Sequence, residues 1–259
     1  MFMKKMMVLI CGLLYLSLGP RVLASPQDSP AIKVLSGGAA KTAVTGLAES
    51  FRKETGYEIE FVFDTMGGVL KRLGAGEKPD LVIATAEAAA DLERAGKLAP
   101  GSRRDLGKVQ IGVAVKEGAP LPDISTTSAL KKTLLAAKSL VYVDPAKGGT
   151  SGIHFAKMLA RMGIAEQVKS KSILLPGGFV VEAVAKGQAE IGVQQITEIL
   201  PVKGVKLVGP LPAELQKTTT YTGGLLLQQA PSPGAEALIK YLTGRTGRAG
   251  FRAAGFTTD

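Results

Sequence analysis

Short apolar segments in this chain give way, at four places, to a glycine-rich or hydroxyl-rich turn that precedes a helix-like pattern. These turns cover residues 36–42, 64–68, 147–152 and 176–180. Such a turn leaves the first N–H groups of the following helix unpaired, with the positive end of the helix dipole facing outward. Each turn is therefore a candidate anion cradle, and their joint occurrence predicts a protein that holds an anion.

The apolar spacing between the turns alternates between strand and helix. Residues 32–35 predict a short strand, and residues 44–51 carry an apolar stripe at helical spacing that Gly56 ends. The alternation continues along the chain, with one longer strand predicted over residues 108–115. Strand–helix–strand order implies a mostly parallel sheet covered on both faces. The predicted fold class is α/β, with two doubly wound lobes joined by a two-strand hinge.

The lobe boundaries follow from the places where one alternating series ends and the next begins. We expect lobe 1 to comprise residues 31–111 and 221–259, and lobe 2 to comprise residues 112–220. The strands near the two boundaries are the expected crossings. Two lobes joined in this way can close on a ligand between them.

The N-terminus has the pattern of an export signal over residues 1–24. Two lysines precede an apolar run, and Val22-Leu23-Ala24 offers a small-residue cleavage site. The run is too short for a membrane anchor, which needs roughly 20 apolar residues. We therefore expect an exported protein that is cleaved near Ala24. The single cysteine, Cys11, lies inside this leader, so the mature chain has no disulfide and no cysteine metal site.

Composition and motifs narrow the classes of function. The net charge of +10 favours anionic partners, but tryptophan is absent and the lysines are scattered, so we expect no nucleic-acid partner. A P-loop and a dinucleotide fingerprint are both missing. The single histidine, His154, has no catalytic context. We accordingly expect no cofactor, no metal, no catalytic residue and no enzymatic activity.

Several motifs, in their order and spacing, resemble the periplasmic solute-binding proteins of ABC importers, and within that group the molybdate-binding proteins. They are Ala75-Gly76 before residues 79–84, Asp144-Pro145 before residues 151–153, residues 189–193 and residues 255–257. The resemblance covers nearly all of the mature chain. It implies a type II bilobal fold, capture of a small anionic ligand without chemistry, and a membrane permease as partner. We expect the protein to be a monomer.

The resemblance also bears on the ligand. Molybdate binders of this family hold the dianion with two serines, backbone amides and a tyrosine. In this chain the serine positions fall on Ala39 and Met66, the tyrosine position falls on Gln195, and the amide positions fall near Ser151 and Val180. The amide donors survive these changes, whereas much of the hydroxyl set is lost. A one-residue shift in the second turn would place Thr65 at the second serine position. A molybdate-like or tungstate-like oxyanion and a small di- or tricarboxylate, such as citrate or aconitate, both remain open.

The predicted ligand-binding residues all lie at or beside the turns or at the end of a predicted strand. They are Gly38, Ala39, Thr65, Met66, Gly67, Thr150, Ser151, Phe179, Val180, Gln194 and Gln195. The sequence leaves open whether Lys41 and Lys147 face the cleft, and whether the protein serves a transporter or a sensor. A secreted enzyme on the same fold is the remaining alternative. Porphobilinogen deaminase shares that fold but needs a cysteine that the mature chain lacks.

Overall fold

A computed structural model describes residues 30–227 and 232–258 of the chain. The predicted leader over residues 1–24 lies outside the described residues. No helix within the two described ranges combines the length and apolar character needed to cross a bilayer.

Strands and helices alternate along most of the described chain. The strands are β1 (Ile32–Gly37), β2 (Ile59–Asp64), β3 (Leu81–Thr85), β4 (Arg104–Val109), β5 (Ile111–Lys116), β6 (Leu140–Val143), β7 (Ser172–Leu175), β8 (Ile191–Gln195), β9 (Val205–Pro210) and β10 (Thr219–Leu225). The helices are α1 (Lys41–Thr55), α2 (Met66–Gly74), α3 (Ala86–Arg94), α4 (Thr127–Ala136), α5 (Thr150–Arg161), α6 (Ala165–Lys169), α7 (Glu182–Ala185), α8 (Ile196–Ile199), α9 (Pro233–Thr243) and α10 (Arg245–Ala253).

Lobe 1 is built on a five-stranded sheet in the order β2-β1-β3-β10-β4. β1 pairs in parallel with β2 and β3, and β10 runs antiparallel to β3 and β4. Its core includes the fully buried Phe51 of α1 and Phe251 of α10. The C-terminal helices therefore pack on the same core as the first helix, although about 200 residues separate them along the chain.

Lobe 2 repeats this plan with the order β7-β6-β8-β5-β9. β6 pairs in parallel with β7 and β8, and β5 runs antiparallel to β8 and β9. Phe155 of α5 and Leu130 of α4 are fully buried in its core. Two mixed sheets with flanking helices confirm the predicted α/β class.

The prediction of one long strand over residues 108–115 is wrong, because the structure has two strands in this segment. β4 ends at Val109 in the first sheet, and β5 begins at Ile111 in the second, with Gln110 alone between them. The chain returns between the end of β9 at Pro210 and the start of β10 at Thr219. Both connections between the lobes are thus short, which suits a hinge.

Parallel strands of both sheets end at the edges where the lobes meet. The N–H of Gly67 donates to the carbonyl of Gly148 at 3.1 Å, and the Thr65 hydroxyl donates to the carbonyl of Lys147 at 2.5 Å. Each of these hydrogen bonds joins lobe 1 to lobe 2. The structure therefore has the lobes in contact across the cleft.

Candidate ligand-binding cleft

A cavity of about 350 Å³ lies between the lobes. Lobe 1 contributes Gly38, Ala39, Lys41, Phe63, Asp64, Thr65, Met66 and Tyr221 to its wall. Lobe 2 contributes Val143, Gly149, Thr150, Ser151, Pro176, Gly177, Gly178, Phe179 and Glu198. Most of these residues lie at or just after the carboxyl ends of parallel strands, where ligands bind in open α/β sheets. Tyr221 is an exception, because it lies on the antiparallel strand β10.

Helix N-termini form part of this wall. α5 begins at Thr150 after Gly149, which supplies no capping side chain, and both line the cavity together with Ser151. α2 begins at Met66, and its N-cap, Thr65, accepts a hydrogen bond from the N–H of Gly68 at 3.1 Å. Because the first N–H groups of α5 have no side-chain cap, this helix end is the stronger candidate for holding an anion.

The mouth of the cavity, formed by Lys41, Phe63 and Phe179, combines a cation with two aromatic rings. The Lys41 Nζ atom lies 5.6 Å from the ring centroid of Phe63 in lobe 1 and 5.3 Å from that of Phe179 in lobe 2. Both distances allow cation–π attraction, so Lys41 helps to hold the lobes together. Lys41 lines the cavity, whereas Lys147 does not and contributes its carbonyl to the contact between the lobes.

The floor of the cavity, formed by Glu198 and Tyr221, has a different character. Glu198 is 8% exposed and Tyr221 is 2% exposed. Burial raises the pKa of Glu198 to about 8, although hydrogen bonds with the Gln194 side chain and the Gln195 backbone partly offset it. A carboxyl group with this pKa is mostly protonated at neutral pH.

Tyr221 belongs to the same electrostatic environment. Burial raises the pKa of its phenol strongly, the nearby Glu198 charge raises it further, and a hydrogen bond with Thr150 lowers it. The phenol therefore keeps its proton at neutral pH and can donate a hydrogen bond. Thr150 also accepts a hydrogen bond from the Gln195 side chain at 3.1 Å. The floor is thus connected to the N-terminus of α5.

The cavity wall includes seven of the residues predicted from the sequence: Gly38, Ala39, Thr65, Met66, Thr150, Ser151 and Phe179.

The other four predicted residues do not line the cavity. Gly67 packs against Gly148 of the opposite lobe, and Val180 is buried in lobe 2. Gln194 donates to the carbonyl of Gly178 at 2.6 Å, and Gln195 donates to Thr150. These four support the residues of the wall.

Sequence reasoning missed Glu198 and Tyr221. Glu198 lies three residues after the end of β8, at the third position of α8, where a carboxyl reaches back to the N-cap N–H as in a capping box. The sequence does not show a standard capping box here, because the N-cap residue is Gln195 and not serine or threonine. Tyr221 pairs in register with Thr85 at the carboxyl end of β3. This pairing comes from the tertiary structure, so the sequence offered a local signal only for Glu198.

Two α/β lobes that close on a cavity suited to an anion define the class of type II periplasmic binding proteins. Residues 32–257 match the family model for a bacterial extracellular solute-binding protein. The chain belongs to this family, which confirms the resemblance seen in the sequence.

Individual relatives show how far this likeness extends. The chain is 33% identical over 243 residues to an aconitate isomerase of Pseudomonas sp, covering 92% of this chain and 90% of the relative. It is 27% identical over 240 residues to the molybdate-binding protein ModA of Azotobacter vinelandii, covering 89% and 91%. The solved periplasmic molybdate-binding protein of Azotobacter vinelandii superimposes with a TM-score of 0.72 at 18% identity, covering 88% of this chain and 99% of that one.

Proposed function

We propose that this protein captures a small di- or tricarboxylate in the cleft between its lobes. The observation that carries the proposal is the contrast within one cavity, where the N-terminus of α5 and Lys41 suit negative charge while Glu198 and Tyr221 offer a protonated floor. A ligand with several carboxylates on a carbon skeleton can use both parts. One carboxylate meets the amides and Lys41, and another accepts hydrogen bonds from the floor.

The alternative ligand, a compact oxyanion such as molybdate, finds weaker support in the cavity. Ala39 and Met66, which are 2% and 6% exposed, present no hydroxyl where molybdate binders of the family have serines. The cavity of about 350 Å³ is also within the range of small organic ligand sites, which begins at about 300 Å³. A relative that is 33% identical is named for aconitate, a tricarboxylate.

We infer a transport role from the family to which the chain belongs. We propose export to the periplasm with cleavage near Ala24, and delivery of the ligand by a monomer to the membrane permease of an ABC importer. The family description as extracellular solute-binding proteins and the leader pattern support this role. We propose no nucleic-acid partner. Intact-mass measurement of exported material should give a chain that starts at or near Ser25.

Calorimetric titration of the purified protein tests the ligand class. Citrate, cis-aconitate, trans-aconitate, molybdate and tungstate should be compared at equal pH and salt. We expect the carboxylates to bind and to raise the melting temperature, because a ligand that prefers the folded state stabilises it. Submicromolar molybdate binding with no carboxylate signal would overturn the proposal in favour of the oxyanion.

A second candidate function is isomerisation of an unsaturated tricarboxylate. The observation that favours it is Glu198, a cavity-lining carboxyl whose pKa of about 8 suits proton transfer near neutral pH. The expectation of no enzymatic activity depends on missing catalytic motifs and on the family resemblance, and a single buried carboxyl has no sequence motif. Proton NMR of cis-aconitate incubated with the protein tests this candidate by the appearance of the trans isomer.

A further inference from the structure

We infer that Glu198 is the proton-transfer residue of this cleft, removing a proton from one carbon of a bound unsaturated polycarboxylate and returning it to another carbon of the same molecule. The inference rests on the proposed capture of a polycarboxylate and gives the second candidate function a specific residue. It stands on the position of the carboxyl group in the cavity and on what surrounds it.

The carboxyl group of Glu198 lies in the cavity wall, next to the backbone of Gly38. Its Oε1 atom lies 2.9 Å from the point where a Cβ atom on Gly38 would stand. Any side chain at that position would therefore displace the carboxyl group. The Gln195 N–H and the Gln194 side chain hydrogen-bond to the same carboxyl group. Glu198 is thus anchored on α8 and still forms part of the cavity wall.

Other titratable residues on the wall are less suited to this role. Asp64 is ion-paired with Arg72 at 3.1 Å and accepts the N–H of Thr65 at 2.8 Å. Lys41 lies between two aromatic rings at the mouth. Tyr221 keeps its proton because burial and the Glu198 charge raise its pKa. Among the described residues that line the cavity, this leaves Glu198 as the carboxyl available to exchange a proton with a ligand.

The step balances without an oxidant, a reductant or a second substrate. The Glu198 carboxylate accepts a proton from a methylene carbon next to the carbon–carbon double bond. The electron pair of the broken C–H bond forms a new double bond, and the pair of the old double bond takes the proton back from Glu198 at its far carbon. Glu198 ends as a carboxylate, and the new double bond can be cis or trans.

The surroundings of the carboxyl group support both halves of this step. Burial raises the pKa of Glu198 to about 8, so the ionised form is a stronger base than an ordinary carboxylate. The N–H groups at the start of α5, together with Lys41, can stabilise the charge that spreads into the ligand carboxylates. The Tyr221 hydroxyl can donate a hydrogen bond to the same ligand.

The experiment compares the mature wild-type protein with Glu198→Gln, Glu198→Asp and the control Glu182→Gln. Glutamine keeps the size and the capping acceptor of Glu198 but cannot take a proton. Glu182 is exposed on α7, where it pairs with Lys186 at 3.3 Å, and it does not line the cavity. Calorimetry gives the Kd for cis-aconitate, NMR gives its rate of conversion, and melting curves verify folding.

We expect wild type and E182Q to convert cis-aconitate at similar rates that increase from pH 6 to about 8, as Glu198 ionises. E198Q should lower the rate by about 100-fold or more, with Kd changed by less than about threefold. E198D should restore part of the rate with a shifted pH profile.

Each contrary result has a distinct meaning. A wild-type protein that binds polycarboxylates without converting them overturns the inference and leaves the proposed capture standing. An E198Q variant that is folded, binds and keeps the wild-type rate overturns it as well. A wild-type protein that binds no polycarboxylate overturns the proposed function and the inference with it.

Discussion

The mouth of the cleft carries an exposed charged side chain, whereas burial at the floor favours the neutral forms of Glu198 and Tyr221. At the mouth, an exposed lysine lies between Phe63 and Phe179, close to water. At the floor, a buried carboxyl and a buried phenol both have raised pKa values. A charge near water has a small desolvation cost, whereas a buried one has a large cost and is favoured in its neutral form. The mouth can therefore attract an anion, and the floor is the part of the cleft that can exchange a proton with it.

The largest expected effect concerns the floor and the stability of the ligand-free protein. Below about pH 4.5 Glu198 is protonated in both states, whereas between pH 4.5 and about 8 the unfolded state releases the proton and the folded state keeps it. Wild type should lose stability across this window, by about 1.4 kcal/mol for each pH unit at most. Glu198→Gln removes the effect.

Melting temperatures of wild type, E198Q and E182Q from about pH 5 to about pH 8.5 measure this pH-dependent loss of stability. We expect the advantage of E198Q over wild type to grow with pH and to reach several kcal/mol, while E182Q follows wild type. Parallel curves for wild type and E198Q would mean that water reaches the floor and that the contrast with the mouth is false.

The next largest effect is on ligand affinity, through the closure of the two lobes at Gly67 and Gly148. A Cβ atom at Gly67 would lie 2.8 Å from the Cα atom of Gly148 in the opposite lobe. Gly67→Ala should therefore hold the lobes apart and weaken ligand binding by about tenfold, or about 1.4 kcal/mol. Calorimetry gives the affinity, and X-ray scattering gives the size of the liganded protein.

Gly46→Ala is the matched control, because this position is also helical and a Cβ atom there meets nothing within 4 Å. Gly46→Ala gains helix propensity without a new contact, so its stability should not fall. Gly67→Ala gains the same propensity, and melting curves verify that its lobes stay folded. Equal affinity for G67A and wild type would show that a ligand can be held without contact at Gly148.

The smallest effect concerns the mouth alone. Lys41→Met keeps an unbranched apolar stem over the rings and removes the charge, so we expect Kd to rise about two- to fivefold. The difference should shrink as salt concentration rises, because salt screens an exposed charge. Exposed Lys157 on α5 does not line the cavity, and Lys157→Met is the control. An equal loss in both variants would indicate a general field rather than a defined mouth.

The sequence determined the elements and the class of fold. The apolar spacing of residues 32–35 and 44–51 depends on local geometry, and the structure has β1 and α1 there. The turn before Thr150 likewise follows from Gly148, which ends a short 3-10 helix after β6, and from Gly149, which caps the start of α5. These features are local, because side-chain periodicity and backbone freedom act over a few residues.

Tertiary structure decided what local patterns leave undefined. Residues 108–115 are compatible with one strand, and only their pairing with different sheets separates β4 from β5 at Gln110. The floor brings together Glu198 and Tyr221, which come from different lobes and acquire raised pKa values only when folding removes water from both. The resemblance places a tyrosine at Gln195, whereas the structure brings in Tyr221, linked to Gln195 through Thr150. Burial and proximity between distant segments belong to the packed chain, so no local pattern specifies them.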